Sequence, residues 1–253
     1  MERELKILQG FDAISLGEMD EVALLDRHDT KYIFNREELL RLLPRLQSDY
    51  NVLEVLGKRA SAYTSLYFDS DKLDFYSLHQ RGKKNRVKIR MRQYVDSALT
   101  FLEIKLKNNK GRTVKSRIEI KDVEEFLSAD NLLFVQDNAG PQEELQPQVY
   151  NEFNRITLVH KTAKERLTLD IGLIFRAPNG VEKQLNELVI AELKQDEVNR
   201  YSTFAKLAKK RMIRPERISK YCLGIALLKS DVKKNQIKEK LLRIAKLSED
   251  TAA

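Results

Sequence analysis

The chain has 253 residues, with 46 Lys+Arg against 38 Asp+Glu, a formal net charge of +8 and 42% hydrophobic residues. A single cysteine, Cys222, excludes a disulfide framework and any multi-cysteine zinc or iron–sulfur site, and three scattered histidines (His28, His79, His160) leave no histidine-rich metal cage. No apolar run approaches the ~18 residues of a bilayer span and the acidic start Met-Glu-Arg-Glu is no signal peptide, so a cytoplasmic protein is expected.

The length suffices for a sizeable core, and neither a repeat nor a linker divides the chain. The expected organisation is one domain over 1–253: an N-terminal helical part (1–26), a central unit (27–230), and a basic helix and tail (231–253). In chain order, Leu5, Leu8, Phe11, Ile14, Val22 and Leu25 fall at helical spacing over residues 2–25, with a break expected near Gly17. Residues 30–34 are β-prone. Asn35-Arg36-Glu37-Glu38 has capping-box spacing and opens a leucine-rich helix. From residue 60 the hydrophobic period becomes two, predicting strands at 61–69, 86–94, 100–107 and 112–120. A short helix at 123–127 and a loop at 136–147, marked by the Asp137–Pro141 breakers, precede strands at 150–159, 166–175 and 187–194. Helices are expected at 201–210, 218–228 and 232–247, with a frayed tail at 248–253.

Strand side chains alternate faces, so each of five segments has one apolar and one charged face. In Arg86-Val87-Lys88-Ile89-Arg90-Met91-Arg92 the even positions are cationic and the odd ones apolar. Across the five strands the charged faces hold ten cations (Arg86, Lys88, Arg90, Arg92, Lys105, Lys107, Lys115, Arg117, Arg166, Lys194) against four acids (Glu103, Glu119, Asp170, Glu192). A solvated outer face is one reading, but such faces usually mix signs, and like charges opposite each other destabilise a sheet. The other reading is an α+β fold whose antiparallel sheet, of about eight strands, curls into a barrel with a basic lumen surrounded by helices. That lumen repels itself unless a polyanion or metal ion fills it.

Nine short motifs then occur in order: Arg27-His28-Asp29-Thr30-Lys31-Tyr32, Tyr67-Phe68-Asp69-Ser70 with Asp74-Phe75-Tyr76, Lys88-Ile89-Arg90-Met91-Arg92, Phe101-Leu102-Glu103-Ile104-Lys105, Val114-Lys115-Ser116-Arg117, Phe153-Asn154-Arg155, Arg166-Leu167-Thr168-Leu169-Asp170, Ala191-Glu192-Leu193-Lys194 and Ser219-Lys220-Tyr221. Over about residues 27–228 this pattern resembles the VTC domain, the polyphosphate polymerase branch of the triphosphate tunnel metalloenzymes, a CYTH-like superfamily. The resemblance implies a tunnel barrel that binds a triphosphate and a divalent metal, Mn²⁺ or Mg²⁺. By that resemblance Arg90, Arg92, Lys31 and Lys220 are the expected catalytic cations. Lys105, Lys115, Arg155 and Arg166 match phosphate-binding positions, Arg217 a further basic position and Ser219 a hydroxyl near the phosphates. Arg117 and Lys194 join them from the charged faces. Glu192 matches the metal-binding carboxylate; Glu103 is either a second metal ligand or the partner of a neighbouring cation. Glu2-Arg3-Glu4-Leu5-Lys6 imitates the superfamily's Glu-x-Glu-x-Lys strand but continues into helical periodicity, so it is read as a coincidence. The equivalent strand is placed at Arg27–Lys31, which lacks the first acid.

These residue types suit phosphoryl transfer, which asks a protein for alignment and charge neutralisation. The leading expectation is a polyphosphate polymerase moving the γ-phosphate of ATP onto a polyphosphate chain. The alternatives are hydrolysis of triphosphate or nucleoside triphosphates, and a non-catalytic module binding polyphosphate or another polyanion. Pyrophosphate and triphosphate are expected ligands. Nucleic acid is not, because no recognition helix or aromatic stacking platform stands out on the charged strands. With no span of its own, coupling to a membrane requires a separate membrane-protein partner. The sequence carries no signal for oligomeric state.

Overall fold

The computed structural model describes residues 1–21, 28–108, 113–142 and 144–249, apart from the side chains of 20, 21 and 249. Eleven strands form one sheet: β1 (Ala13–Ile14), β2 (His28–Asn35), β3 (Tyr50–Leu53), β4 (Ser61–Ser70), β5 (Arg86–Tyr94), β6 (Leu99–Lys107), β7 (Thr113–Ile120), β8 (Leu145–His160), β9 (Glu165–Arg176), β10 (Glu182–Leu185) and β11 (Leu188–Gln195). Among the described residues eight α-helices accompany these eleven strands: α1 (Glu2–Leu8), α2 (Leu16–Glu21), α3 (Arg36–Leu42), α4 (Asp74–Gln80), α5 (Ala129–Ala139), α6 (Thr203–Lys210), α7 (Lys220–Leu228) and α8 (Lys238–Glu249). The main path runs β2-β11-β9-β8-β4-β5-β6-β7, all antiparallel, with β10 added to β9 and the parallel pair β1–β3 added to β8. The fold is α+β, as expected. The expected barrel is not closed by hydrogen bonds, because among the described residues β2 and β7 do not pair with each other.

Two buried clusters cover the apolar side of the strands. One joins Phe34, Leu158, Leu169 and Val189 to Leu8 of α1, Leu39 and Leu42 of α3 and Phe204 of α6. The other joins Leu66, Phe68, Ile89, Met91, Leu102 and Ile104 to α4, α5, α7 and α8. Ile89, Met91, Ile104 and Leu169 are all essentially inaccessible, as the alternation requires. Asp69 explains two motifs at once. Its fully buried carboxylate accepts from the backbone N–H groups of Ser70, Phe75 and Tyr76 and from the Tyr221 hydroxyl. It therefore ties the start of α4 and the body of α7 to β4. Gly224 lets α7 seat closely: an added Cβ would stand 2.7 Å from Phe175 and 2.8 Å from Val149.

Several local expectations need correction. The single helix over 2–25 is replaced, as far as residue 21, by α1, β1 and α2; residues 22–27 lie outside the described residues. Tertiary contacts override the helical periodicity. Arg59 donates to the carbonyls of Leu8 and Phe11, and β1 pairs with β3, so the break comes before Gly17 rather than at it. The loop at 136–147 is in part the last turn of α5. Ser128 caps that helix by accepting from Asn131 N–H at 3.3 Å, and Gly140 ends it at φ 73°. The breakers mark its stop, whereas the helix expected at 123–127 is absent. The Asn35 cap is present, accepting from Glu38 N–H at 3.0 Å, but the Glu38 carboxylate pairs with Arg41 and Arg211 instead of completing a capping box. Strand 112–120 is seen from Thr113, and residue 112, like the end of the tail, lies outside the described residues. Among the described residues no helix is long and apolar enough to cross a membrane.

Candidate functional site

Register assembles the site. Across β5, β6 and β7, Lys88, Lys105 and Lys115 stand in one row, and Arg90, Glu103 and Arg117 in the next; Tyr67 of β4 extends that second row. Across β2, β11 and β9, Lys31 stands opposite Glu192, and Asp29 opposite Lys194, which in turn faces Arg166. Arg155 of β8 stands opposite Asp170 of β9. Ten basic side chains and three carboxylates line one cavity of about 530 Å³: Lys31, Lys88, Arg90, Arg92, Lys105, Lys115, Arg117, Arg155, Lys194 and Lys220, with Asp29, Glu103 and Glu192. Both edge strands contribute, β2 through Lys31 and β7 through Lys115 and Arg117, so the sheet curls until its ends face the same space.

The two banks of the cavity are held differently. On the β2–β11 side each cation has an acid. Glu192 accepts from Lys31 and lies 3.4 Å from Lys194, while Asp170 takes Arg155 in a fork at 2.6 and 2.9 Å and also Lys220. On the β5–β7 side Glu103 accepts from Arg90 Nε at 2.7 Å. The remaining anchors there are neutral. Arg92 Nε donates to Ser65 Oγ at 3.1 Å, Arg90 Nη1 to the Tyr67 hydroxyl at 3.1 Å, and Lys88 Nζ to Ser219 Oγ at 2.9 Å. Ser219 also caps α7 by accepting from Cys222 N–H, so one hydroxyl positions both the helix and a cavity lysine. Behind the arginines stands an aromatic pair, Tyr63 and Phe153, stacked at 5.3 Å; Arg92 and Arg155 each lie over both rings, and Lys220 Nζ lies 4.6 Å from the centre of Phe153.

Crowding of like charge shows in the titration of these groups. Burial, with Lys88 and Lys115 on either side, pushes Lys105 down to about 8. Burial and neighbouring Arg90 push Arg92 down to about 10. Burial also lowers Lys88 and Lys220. For Tyr67 burial acts the other way, but the positive field of Arg90, Arg92 and Lys88 overcomes it and brings the phenol down to about 8. Burial likewise opposes ionisation of Glu192, and Lys194 and Lys31 reverse that, holding its carboxyl well below the usual range. The cavity thus keeps Glu192 and Glu103 ionised and pushes Lys88, Lys105 and Lys220 toward neutrality.

Among the described residues no three Asp, Glu, His or Cys side chains group as a metal cage. Glu192 and Asp29, on neighbouring strands and lining the same cavity, suit a hard divalent ion that takes one or two carboxylates and fills its shell with water and substrate oxygens. Glu103 pairs with Arg90, as Glu192 does with Lys31.

Of the residues expected from sequence, Lys31, Arg90, Arg92, Lys105, Lys115, Arg117, Arg155, Glu192, Lys194, Ser219 and Lys220 line the cavity. Arg166 and Arg217 do not. Arg166 shares the row of Lys194 but directs Nη1 at Met19 of α2, and Arg217 is exposed. Lys88, Tyr67 and Asp29 line it without having been assigned roles, and Asp170 anchors two of its cations from below. Strand alternation already put Lys88 and Asp170 on the right face. The Tyr63–Phe153 pair was overlooked as a platform because its two members lie 90 residues apart and meet only through the β4–β8 register. Glu4, in the imitated Glu-x-Glu-x-Lys, is buried in α1 against Arg36 and is no part of the site.

A curled antiparallel sheet around a cation-lined cavity is the architecture of the triphosphate tunnel class. The VTC domain profile matches residues 26–229, and the chain belongs to the VTC domain family. Among solved structures, a candidate adenylate cyclase from Bacillus halodurans is similar at 15% identity and a TM-score of 0.51, covering 81% of this chain and 98% of that one. A Hippeastrum protein, a candidate adenylyl cyclase described as having a dominant triphosphatase activity, aligns at 14% identity and a TM-score of 0.46, over 81% and 98% of the two chains. A candidate adenylate cyclase from Vibrio parahaemolyticus aligns at 14% identity and a TM-score of 0.44, over 78% and 97%. No curated protein matches the sequence.

Proposed function

We propose that the protein is a metal-dependent phosphotransferase that moves the γ-phosphoryl group of ATP onto a growing polyphosphate chain. The observation that carries this reading is the lining of the cavity, ten cations against three carboxylates in about 530 Å³. Such a space repels itself and is stabilised when anionic charge enters it, and linear phosphates are the densest anionic charge a metabolic substrate offers.

The residues divide the work by how they are held. Arg155 is fixed by its fork to Asp170, and Arg90 by Glu103, so each presents its remaining N–H donors to phosphate oxygens in a set direction. Arg92 rests on Tyr63 and Phe153 and donates to Ser65, so rings and a hydroxyl orient its guanidinium. Lys88, Lys105 and Lys115 form a row of point charges across β5, β6 and β7, available to the phosphate oxygens. Lys31 and Lys220 are held by Glu192 and Asp170 and are the catalytic cations we assign beside Arg90 and Arg92, neutralising charge on the transferring group and the leaving oxygen. A divalent ion bound at Glu192 supplies further neutralisation of the phosphate oxygens. No nucleophilic side chain is required, because the attacking oxygen belongs to the acceptor phosphate.

Incubation with ATP and Mn²⁺ or Mg²⁺, with products resolved by size, tests the proposal. Chains of phosphate are the expected product. Free phosphate alone identifies a hydrolase, and unchanged ATP with tight triphosphate binding identifies a binding module; either contradicts the polymerase assignment.

A further inference from the structure

The cavity stops at the Lys88–Lys105–Lys115 row, yet the same strand face continues outward. One repeat further along, about 7 Å by strand geometry, Arg86 stands opposite Lys107. Neither residue lines the cavity. Among the described residues neither takes a carboxylate partner, and Lys107 is exposed. Like charges placed directly opposite each other weaken a strand pair, so this row costs stability without any compensating contact. The turn that leads into β5 adds Arg81, Lys83 and Lys84, all exposed. The neighbouring helices sharpen the field rather than cancel it. His79 of α4 is pushed down to about 3 by burial and by the positive charges of Lys88, Arg86 and Lys240, the last of these on α8.

We propose that Arg86, Lys107 and the 81–84 turn form a second phosphate-binding track, outside the cavity, that holds the distal phosphates of a linear inorganic polyphosphate. The track rests on the phosphotransferase reading above and adds the path of the chain to it. A triphosphate is accommodated within the cavity rows. A longer chain repeats the same charge at regular intervals, and the next cations it meets in register are Arg86 and Lys107. No aromatic side chain stands on the Arg86–Lys107–Thr113 row, so nucleic-acid bases find no surface to stack on there, and a polyanion without bases is the ligand that fits.

The test is calorimetric binding of inorganic triphosphate and of long-chain inorganic polyphosphate to wild type and to an Arg86→Gln/Lys107→Gln variant, each over a range of NaCl. Triphosphate affinity should stay within about twofold, whereas polyphosphate affinity falls about tenfold and its salt slope drops by about one to two. A Lys83→Gln/Lys84→Gln variant, on the exposed turn, should show a smaller loss in the same direction. Equal losses for both ligands, or no loss for either, would overturn the track, as would equally tight and equally weakened binding of single-stranded RNA. These outcomes are distinct from failure of the cavity reading, which would appear as wild type that does not bind triphosphate at all.

Discussion

At the scale of single residues, the cavity is governed by two groups that titrate near pH 8. Between pH 7 and 9 Lys105 loses a positive charge and Tyr67 gains a negative one, and both changes reduce the attraction for phosphate. Stability of the empty protein moves the other way. Both groups have folded values below their usual ones, about 10.4 for Lys and 10 for Tyr, so the unfolded chain binds more protons between pH 8 and 10 and folding is favoured as pH rises through that window. Triphosphate affinity is therefore expected to fall from pH 7 to 9 while the melting temperature of the empty protein rises relative to a variant lacking these groups. Tyr67→Phe should flatten part of the affinity decline; an identical pH profile in that variant would show that the phenol does not ionise in this range.

At the same scale Glu192 is the residue at which the proposed binding and catalysis come apart. Glu192→Gln keeps the volume, releases Lys31 and Lys194, and removes the charge proposed to hold a metal. Metal-free triphosphate binding should survive or tighten, and metal-dependent transfer should drop by about 10²-fold, given the electrostatic share of phosphoryl-transfer catalysis. Loss of metal-free binding would mean that the carboxylate serves only to order its lysines.

At the scale of elements, the strands were legible and the helices between them less so. β5 and β6 follow an unbroken alternation, and their ends lie within a residue of what the pattern predicts. The two-residue β1 and the polar β10, Glu182-Lys183-Gln184-Leu185, carry no such signal, because their pairing partners rather than their own side chains hold them in the sheet. The same logic explains the site. Register could not be read from one sequence, so the rows that join Lys88 to Lys105, or Tyr63 to Phe153, were invisible even though each residue's face was known. Helix α7 offers a direct test of how an element positions the site, since it carries Lys220 and is capped by Ser219. Gly224→Ala forces a Cβ against Phe175 and Val149 and should lower stability by about 1–3 kcal/mol, as overpacking of cores does. Urea denaturation would register this as a lower midpoint at unchanged slope, with weaker triphosphate binding from the displaced Lys220. An unchanged midpoint would contradict the close seating of α7.

At the scale of the whole molecule, the net charge of +8 is concentrated where it does the most electrostatic harm to the empty fold. Two apolar clusters make that tolerable, since most of their residues pack away from the cavity against the covering helices. The cations can then be kept in a strained arrangement that a polyanion relieves, which links ligand binding to stability through mass action. The most direct measurement is thermal unfolding of the wild-type protein with and without inorganic triphosphate, at low and high NaCl. At a ligand concentration about 100-fold above Kd the gain is about 2.7 kcal/mol. For a chain of this size that is a rise in Tm of about 5–10 °C. The account predicts that rise at low salt and a clear reduction of it at high salt. An unchanged Tm at saturating triphosphate, or a gain that salt leaves untouched, would contradict the claim that this cavity is a phosphate site.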